Sequence, residues 1–416
     1  IMGILGNWIT NKTARPFYAR RIISINKPIL HAEAKVCGLG QFHFYINGCK
    51  VEDHELDPGW TDYHKLIEYV TFDVTSYLKE GENVIGAEVG NGWFYKMDEH
   101  YTFKFPEFMP PNPNLYKPFG KELVLAVELT ITYVDGTVEV IHADEDFLVK
   151  EHPVVMSNVY GSETIDGRKN QDGWCTAEFN ATSWENASIV AKEKEPTGRM
   201  IDQLQPPVKV IHSYTGAYLQ DVQDRAIYDF SQNMSGILEF EVKGKAGDEI
   251  HLYPAEKLAE NGDVDQMAKG WVNLDSCITY IIGQDDEWET CRMKFTYFAG
   301  RYVAVEKLEN CEMRNLTAHA ISSAYETDGT FTCDDKRYEQ IYRLVEKAVE
   351  ANMVSVHTDC PTIERFAWQE PNHLMAPSIM YMKNGRKLWE KFLLDMRTAQ
   401  HTEQDYFYDF EGNRVY

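Results

Sequence analysis

The sequence has no run of about 18 uninterrupted apolar residues in its 416 positions, so a membrane-spanning helix is not expected. It has no paired cysteines either. Cys37, Cys49, Cys175, Cys277, Cys291, Cys311, Cys333 and Cys360 stand singly, with no Cys-x-x-Cys, which argues against a structural zinc site and for reduced thiols. Basic residues are in short supply: 41 Lys and Arg face 65 Asp and Glu, a net charge of −24. Such a surface repels phosphate, so neither nucleic acid nor an anionic membrane is an expected partner. Gly-rich phosphate loops are missing, and so are Gly-x-Ser-x-Gly and His-Glu-x-x-His, which argues against serine esterases and zinc proteases. The first residues carry neither a basic segment nor a long apolar one. That is unlike a secretory leader and suggests a cytoplasmic location. Position 1 is not Met, and an upstream piece is expected.

What is present is apolar enough to fold, with 44% hydrophobic and 25% charged residues. Length alone predicts two to four domains. Aromatics reach 13%, a density that suits both β-sheet cores and sugar-stacking platforms. From Phe17 to Leu316 the pattern predicts mainly antiparallel β-structure. Gln41–Val51 alternates and turns at Asn47-Gly48, and Thr130–Val140 does so at Asp135-Gly136. Leu238–Leu252 holds two alternating runs around a Gly-rich turn. Short strands with frequent turns indicate sandwiches or jelly rolls. Phe105–Pro118 reads as a long loop, and Val190–Val208, with Pro206-Pro207, reads as a domain boundary. Beyond Gly329 the period changes. Tyr338, Ile341, Val345, Ala348 and Val349 predict a helix starting near Asp334-Asp335, and Trp389, Phe392, Leu393 and Met396 predict another.

Chemistry-bearing residues concentrate in Asp359–His373, DCPTIERFAWQEPNH, which holds three carboxylates, an Arg and a Trp. Pro361 biases Cys360 away from helix, so Asp359 is expected in a turn or loop. Glycoside hydrolysis needs one carboxylic acid to protonate the leaving oxygen and a second carboxylate as base or nucleophile. Arg binds hydroxyls or carboxylates, and a Trp face stacks on a sugar ring. The plainer alternative is a solvated helix start with a buried Trp.

DCPTIERFAW resembles the motif that opens the catalytic domain of bacterial α-L-rhamnosidases, glycoside hydrolase family 78. Five further stretches resemble that family in its own order. DPGWTDY (57–63) and Thr71–Trp93 resemble its N-terminal carbohydrate-binding-type sandwich. Tyr228–Gly236, Lys245–Glu256 and Phe295–Val303 resemble its second β-domain. The resemblance implies a mainly β chain: a sandwich over 1–200, a second one over 201–328, and the first helices of an (α/α)6 barrel over 329–416. It implies removal of terminal α-L-rhamnose with inversion. Glu364 matches the general acid, Asp359 the carboxylate holding the sugar hydroxyls, and Trp368 the ring lining the subsite. Arg365 matches a substrate contact, although many members carry the Arg before the Glu, where this chain has Ile363. Many members also carry Gly-Asp after the Trp. Pro371 stands where their Asp would, so Glu370 and His373 become the candidates for that polar contact. The family's general base is a Glu far downstream of residue 416; Glu403, Asp405 and Asp409 do not match it.

No cofactor or metal is expected. Calcium near Asp98 and Glu99 is the lesser alternative, since it wants six to eight oxygens. Asn91–Tyr95 is a second place where a sugar could sit, against a turn with a packed Trp. His100 and His142 are isolated and read as surface or satisfied residues. The expected partners are rhamnose-containing glycosides or oligosaccharides, and a homo-oligomer is left open. The rival reading from another class is a non-catalytic carbohydrate-binding or scaffold module. A third is a related hydrolase acting on a different sugar.

Overall fold

A computed structural model describes residues 5–95, 119–120, 122–159, 161–266, 276–306, 310–362 and 365–400, with the backbone of 407–408 and 414–415. The expected loop at Phe105–Pro118, together with Asp98, Glu99, His100, Glu364, Glu403, Asp405 and Asp409, lies outside the described residues.

The chain is mainly β, with helices after residue 335. Before that point the described residues hold only 3-10 turns of three residues each. The first unit packs a seven-stranded sheet on a six-stranded one. Phe42, Phe44 and Ile46 alternate along Gln41–Ile46 and enter the space between the sheets, where Phe44 stacks on Phe72 at 6.0 Å. Each such ring contributes about 1.5–3 kcal/mol on burial. The Asn47-Gly48 hairpin forms as its sequence predicts, both residues at positive φ, with Ile46 opposite Cys49. His43, on the opposite face of the same strand, stacks on Phe295 of the second unit at 5.8 Å, and Glu88 from Gly81–Gly90 meets Lys294 there.

The second unit is an eleven-stranded sheet centred on the long strand Arg225–Lys243. Phe230, Phe240, Tyr280, Phe295 and Phe298 fill its core. The two runs of Leu238–Leu252 are strands, but they are not neighbours: Phe298–Glu306 inserts between them. Three strands from the first 200 residues also join this sheet, His54–Glu55, Val154–Asn158 and Ser162–Asp166. His54–Glu55 pairs with Val208–Lys209, and Ser162–Asp166 pairs in parallel with Ile278–Ile281. Arg199–Asp202 returns to the first unit, parallel to Leu66–Tyr69. These parallel pairs depart from the antiparallel expectation because a chain that crosses between units re-enters a sheet in either direction.

Helix α1 spans Lys336–Ala351, with the Asp335 carboxylate accepting from the Arg337 amide as its N-cap. It docks on the second sheet where the Ser235 hydroxyl donates to the Ala351 carbonyl at 2.5 Å. Helix α2, Gln369–Met382, was not anticipated, because Pro371 and Pro377 obscure its pattern. Helix α3, Arg386–Ala399, matches the expected second stripe. Val349, Met353, Ile379, Met382 and Leu388 make a small core between the helices. Ile341, Leu344, Tyr381 and Leu393 remain more than half exposed.

Candidate active site

After α1 the chain makes a two-stranded turn at Met353–His357 and enters the Asp359–Trp368 segment. The segment is a loop pinched at its neck. The Asp359 amide donates to the Phe366 carbonyl at 3.0 Å, and the Phe366 amide donates to Asp359 Oδ1 at 3.2 Å. Among the described residues no donor meets Asp359 Oδ2. Asp359 is half-buried, in a loop as the sequence predicts.

Arg365, expected from the sequence to contact substrate, has its side chain 2% exposed and turned into the second β-unit. Nε donates to the Pro361 carbonyl at 2.6 Å, and Nη1 donates to the Val159 and Tyr297 carbonyls at 2.7 and 2.9 Å. The guanidinium lies 3.9 Å from the Tyr297 ring centroid. Its backbone sits at φ +56°, an uncommon conformation for a residue with a Cβ, held by this set of contacts. Thr362 adds a second tether, its hydroxyl donating to Glu256 Oε2 at 3.1 Å. Glu364 lies between these two anchors in sequence.

Trp368 is 47% exposed, and it packs edge-on to Phe366 at 5.6 Å. Phe366 neighbours Trp93 at 6.2 Å, and Trp93 stacks on Trp60 at 4.1 Å and 8°. A row of rings therefore runs from the first sandwich to the loop, and Asn91–Tyr95 serves as packing at that junction. Glu370 and His373 are exposed near the start of α2, where Glu370 also suits the helix dipole. They stand on the helix that follows the loop, close in sequence to Trp368.

Beneath the loop, a cavity of about 20 Å³ is lined by His357, Asn372, Trp389, Lys391 and Asp395 among others. Burial lowers the His357 pKa and raises that of Asp395. Lys391, 1% exposed, donates to Asp395 Oδ2 at 2.5 Å and to the Trp60 carbonyl at 2.7 Å. That ties α3 to the first sandwich. Nearby, burial pushes the Glu68 carboxyl up to about 7. Among the described residues no group of three or more His, Cys, Asp or Glu is placed to hold a metal ion.

Three sequence families match in the order of these structural units. The alpha-L-rhamnosidase N-terminal domain matches residues 27–212, the bacterial alpha-L-rhamnosidase concanavalin-like domain 220–322, and the bacterial alpha-L-rhamnosidase 6 hairpin glycosidase domain 326–409. The chain belongs to the bacterial α-L-rhamnosidase family. An α-L-rhamnosidase of Formosa agariphila is 28% identical over 92% of this chain and 39% of its own length. The α-L-rhamnosidase structure from Dictyoglumus thermophilum superposes with a TM-score of 0.83 at 26% identity, over 98% of this chain and 46% of that one. The Streptomyces avermitilis α-L-rhamnosidase, solved with L-rhamnose, gives 0.83 at 25% identity, over 95% of this chain and 37% of that one. The chain thus spans less than half the length of these relatives.

Within this rhamnosidase-family chain, sequence reasoning located the loop but missed what holds it. Val159, Tyr297 and Glu256 come from the second β-unit. They carry no signature, since two of them act through backbone carbonyls. Trp60 lay inside DPGWTDY and could have been singled out as an aromatic in a turn.

Proposed function

We propose that this chain supplies the acid side of an inverting α-L-rhamnosidase site, acting on terminal α-L-rhamnosides of glycosides or oligosaccharides. Glu364 protonates the leaving oxygen, Asp359 holds sugar hydroxyls, and Trp368 packs on the ring. The observation that carries the reading is the DCPTIERFAW loop, set at the meeting of two β-units and a helical unit in a chain of this family. The exposed Trp368 face and the Oδ2 of Asp359, which has no donor among the described residues, support the assignments. Glu370 and His373 are proposed as further polar contacts. An inverting displacement also needs a base about 6.5–9.5 Å from the acid, across a water. The family resemblance puts that base downstream of residue 416, so turnover is expected only from a chain extended through the whole barrel.

The test is Glu364→Gln in such an extended chain. Turnover on natural rhamnosides should fall about 10²–10⁴-fold, and less on nitrophenyl α-L-rhamnoside, whose leaving group needs little protonation. Near-normal turnover would remove Glu364 from the acid role. Activity of residues 1–416 alone would place the base among their own carboxylates.

A further inference from the structure

We propose that a basic cleft on the first β-unit is a second saccharide site, one that takes a sugar unit bearing a carboxylate or sulfate group. The cleft has a volume of about 400 Å³, in the range of small-ligand sites, about 300–1,000 Å³. It lies where segment 11–13 and the strand Leu148–Glu151 meet the 3-10 turn Gly167–Lys169. None of its lining residues belongs to the 359–368 loop, and the proposal is independent of the role of Glu364.

Charge marks the cleft out. Lys12, Lys150, Arg168 and Lys169 line it against Glu151 and Glu185, a local excess of two cations in a chain of net charge −24. Such a cleft focuses a positive potential on small anions, while the acidic remainder of the surface repels a long polyanion. Three of the cations are free to exchange partners. Lys12 and Glu185 lie 3.4 Å apart at 69% and 68% exposure, and exposed pairs add little stability. Lys150 donates to the Ser183 carbonyl at 3.4 Å, a long bond. Arg168 gives Nε and Nη2 to Asp166 at 2.8 and 2.9 Å, and among the described residues no acceptor meets its Nη1. Glu151, paired with Lys169 at 2.8 Å, and Glu185 supply acceptors on the same walls. An acidic sugar meets both demands, since its anion takes the cations and its hydroxyls donate to the carboxylates. A bare phosphate would face those carboxylates without hydroxyls to satisfy them. No aromatic ring stands among the described lining residues, so a neutral sugar finds no stacking face there, unlike at Trp368.

The experiment is calorimetric titration of the full-length protein with digalacturonate, a disaccharide carrying sulfate in place of carboxylate, maltose and inorganic phosphate. An acidic disaccharide should bind at least about tenfold more tightly than maltose or phosphate, the worth of one hydrogen bond to a charged group. Binding of digalacturonate identifies a carboxylated ligand, and binding of the sulfated probe alone a sulfated one; either supports the proposal. Equal affinity for maltose or for phosphate, or no binding of either acidic disaccharide at about 10 mM, overturns it. The double variant Lys12→Gln, Lys150→Gln should weaken the acidic probe by at least about tenfold, and unchanged affinity would place the binding elsewhere and overturn the assignment. Turnover of this variant on 4-nitrophenyl α-L-rhamnoside should stay within about twofold of the parent, because both lysines are surface groups outside the loop. Should it fall further, Lys12→Gln alone carries the same comparison, with a loss of about threefold in affinity supporting the site and none overturning it. Raising NaCl from about 20 to about 300 mM should weaken the acidic probe, and binding indifferent to salt counts against a charge-built site.

Discussion

Glu88→Gln tests the charge cluster that joins the two β-units. Glu88 is 3% exposed. Its Oε2 lies 3.1 Å from Lys294 Nζ, 3.2 Å from His43 Nδ1 and 3.1 Å from the Tyr45 hydroxyl. His152 presents Nε2 to Oε1 at 3.5 Å, while its Nδ1 accepts from the Val154 amide. His43 also reaches Glu55, which pairs with Arg292 at 2.9 Å and Lys50 at 3.1 Å. Burial would raise the Glu88 pKa, but Lys294, His152 and His43 outweigh it and hold the carboxyl well below its ordinary value. Removing one partner of a buried pair costs about 3–5 kcal/mol. The Lys294 side chain is 27% exposed and regains some hydration, so a loss of about 3 kcal/mol is expected. A depressed carboxyl pKa contributes stability that is present above the unfolded value and lost as pH falls through the folded one. The gap between parent and variant should therefore be full at pH 7 and narrow below about pH 4.5. Urea unfolding followed by Trp fluorescence at both pH values measures it. A loss under about 1 kcal/mol at pH 7, or a gap that stays constant into acid, would refute the reasoning.

Asp359→Asn keeps an acceptor for the Phe366 amide but loses the charge, so melting should change little while rhamnose binding weakens by about 1.5–3 kcal/mol; melting curves with and without rhamnose separate the two effects. Glu68, fully buried with its carboxyl pushed up to about 7, contributes its full share only below about pH 4.5 and loses it as pH rises through 7. Glu68→Gln should therefore gain on the parent by about 3 kcal/mol between those limits, read from melting temperature against pH, and a gain independent of pH would count against the assignment.

Local structure and the candidate segment were both legible in the amino-acid pattern. Alternation fixed the strands, and Asn47-Gly48 fixed its hairpin because both residues accept positive φ. Asp335 capped α1, and Pro361 kept Asp359 out of helix. Helix α2 stayed hidden because its two prolines mimic a loop. Chemistry-bearing residue types in one short stretch named the candidate site, since those groups announce themselves wherever the chain puts them.

Which groups face one another follows from contacts distant in sequence. Period-2 patterning says that Leu238–Leu252 holds strands, but not that Phe298–Glu306 slides between them, because strand order depends on contacts distant in sequence. It does not say that Ser162–Asp166 crosses to the second sheet either. Arg365 is the clearest case. An Arg beside a carboxylate reads as a ligand contact, yet its guanidinium meets backbone carbonyls of Val159 and Tyr297, which every residue carries and no sequence pattern marks. Glu88 and Lys294 are likewise ordinary surface types, and Glu88 becomes buried against a half-buried Lys294 because the two β-units close over it.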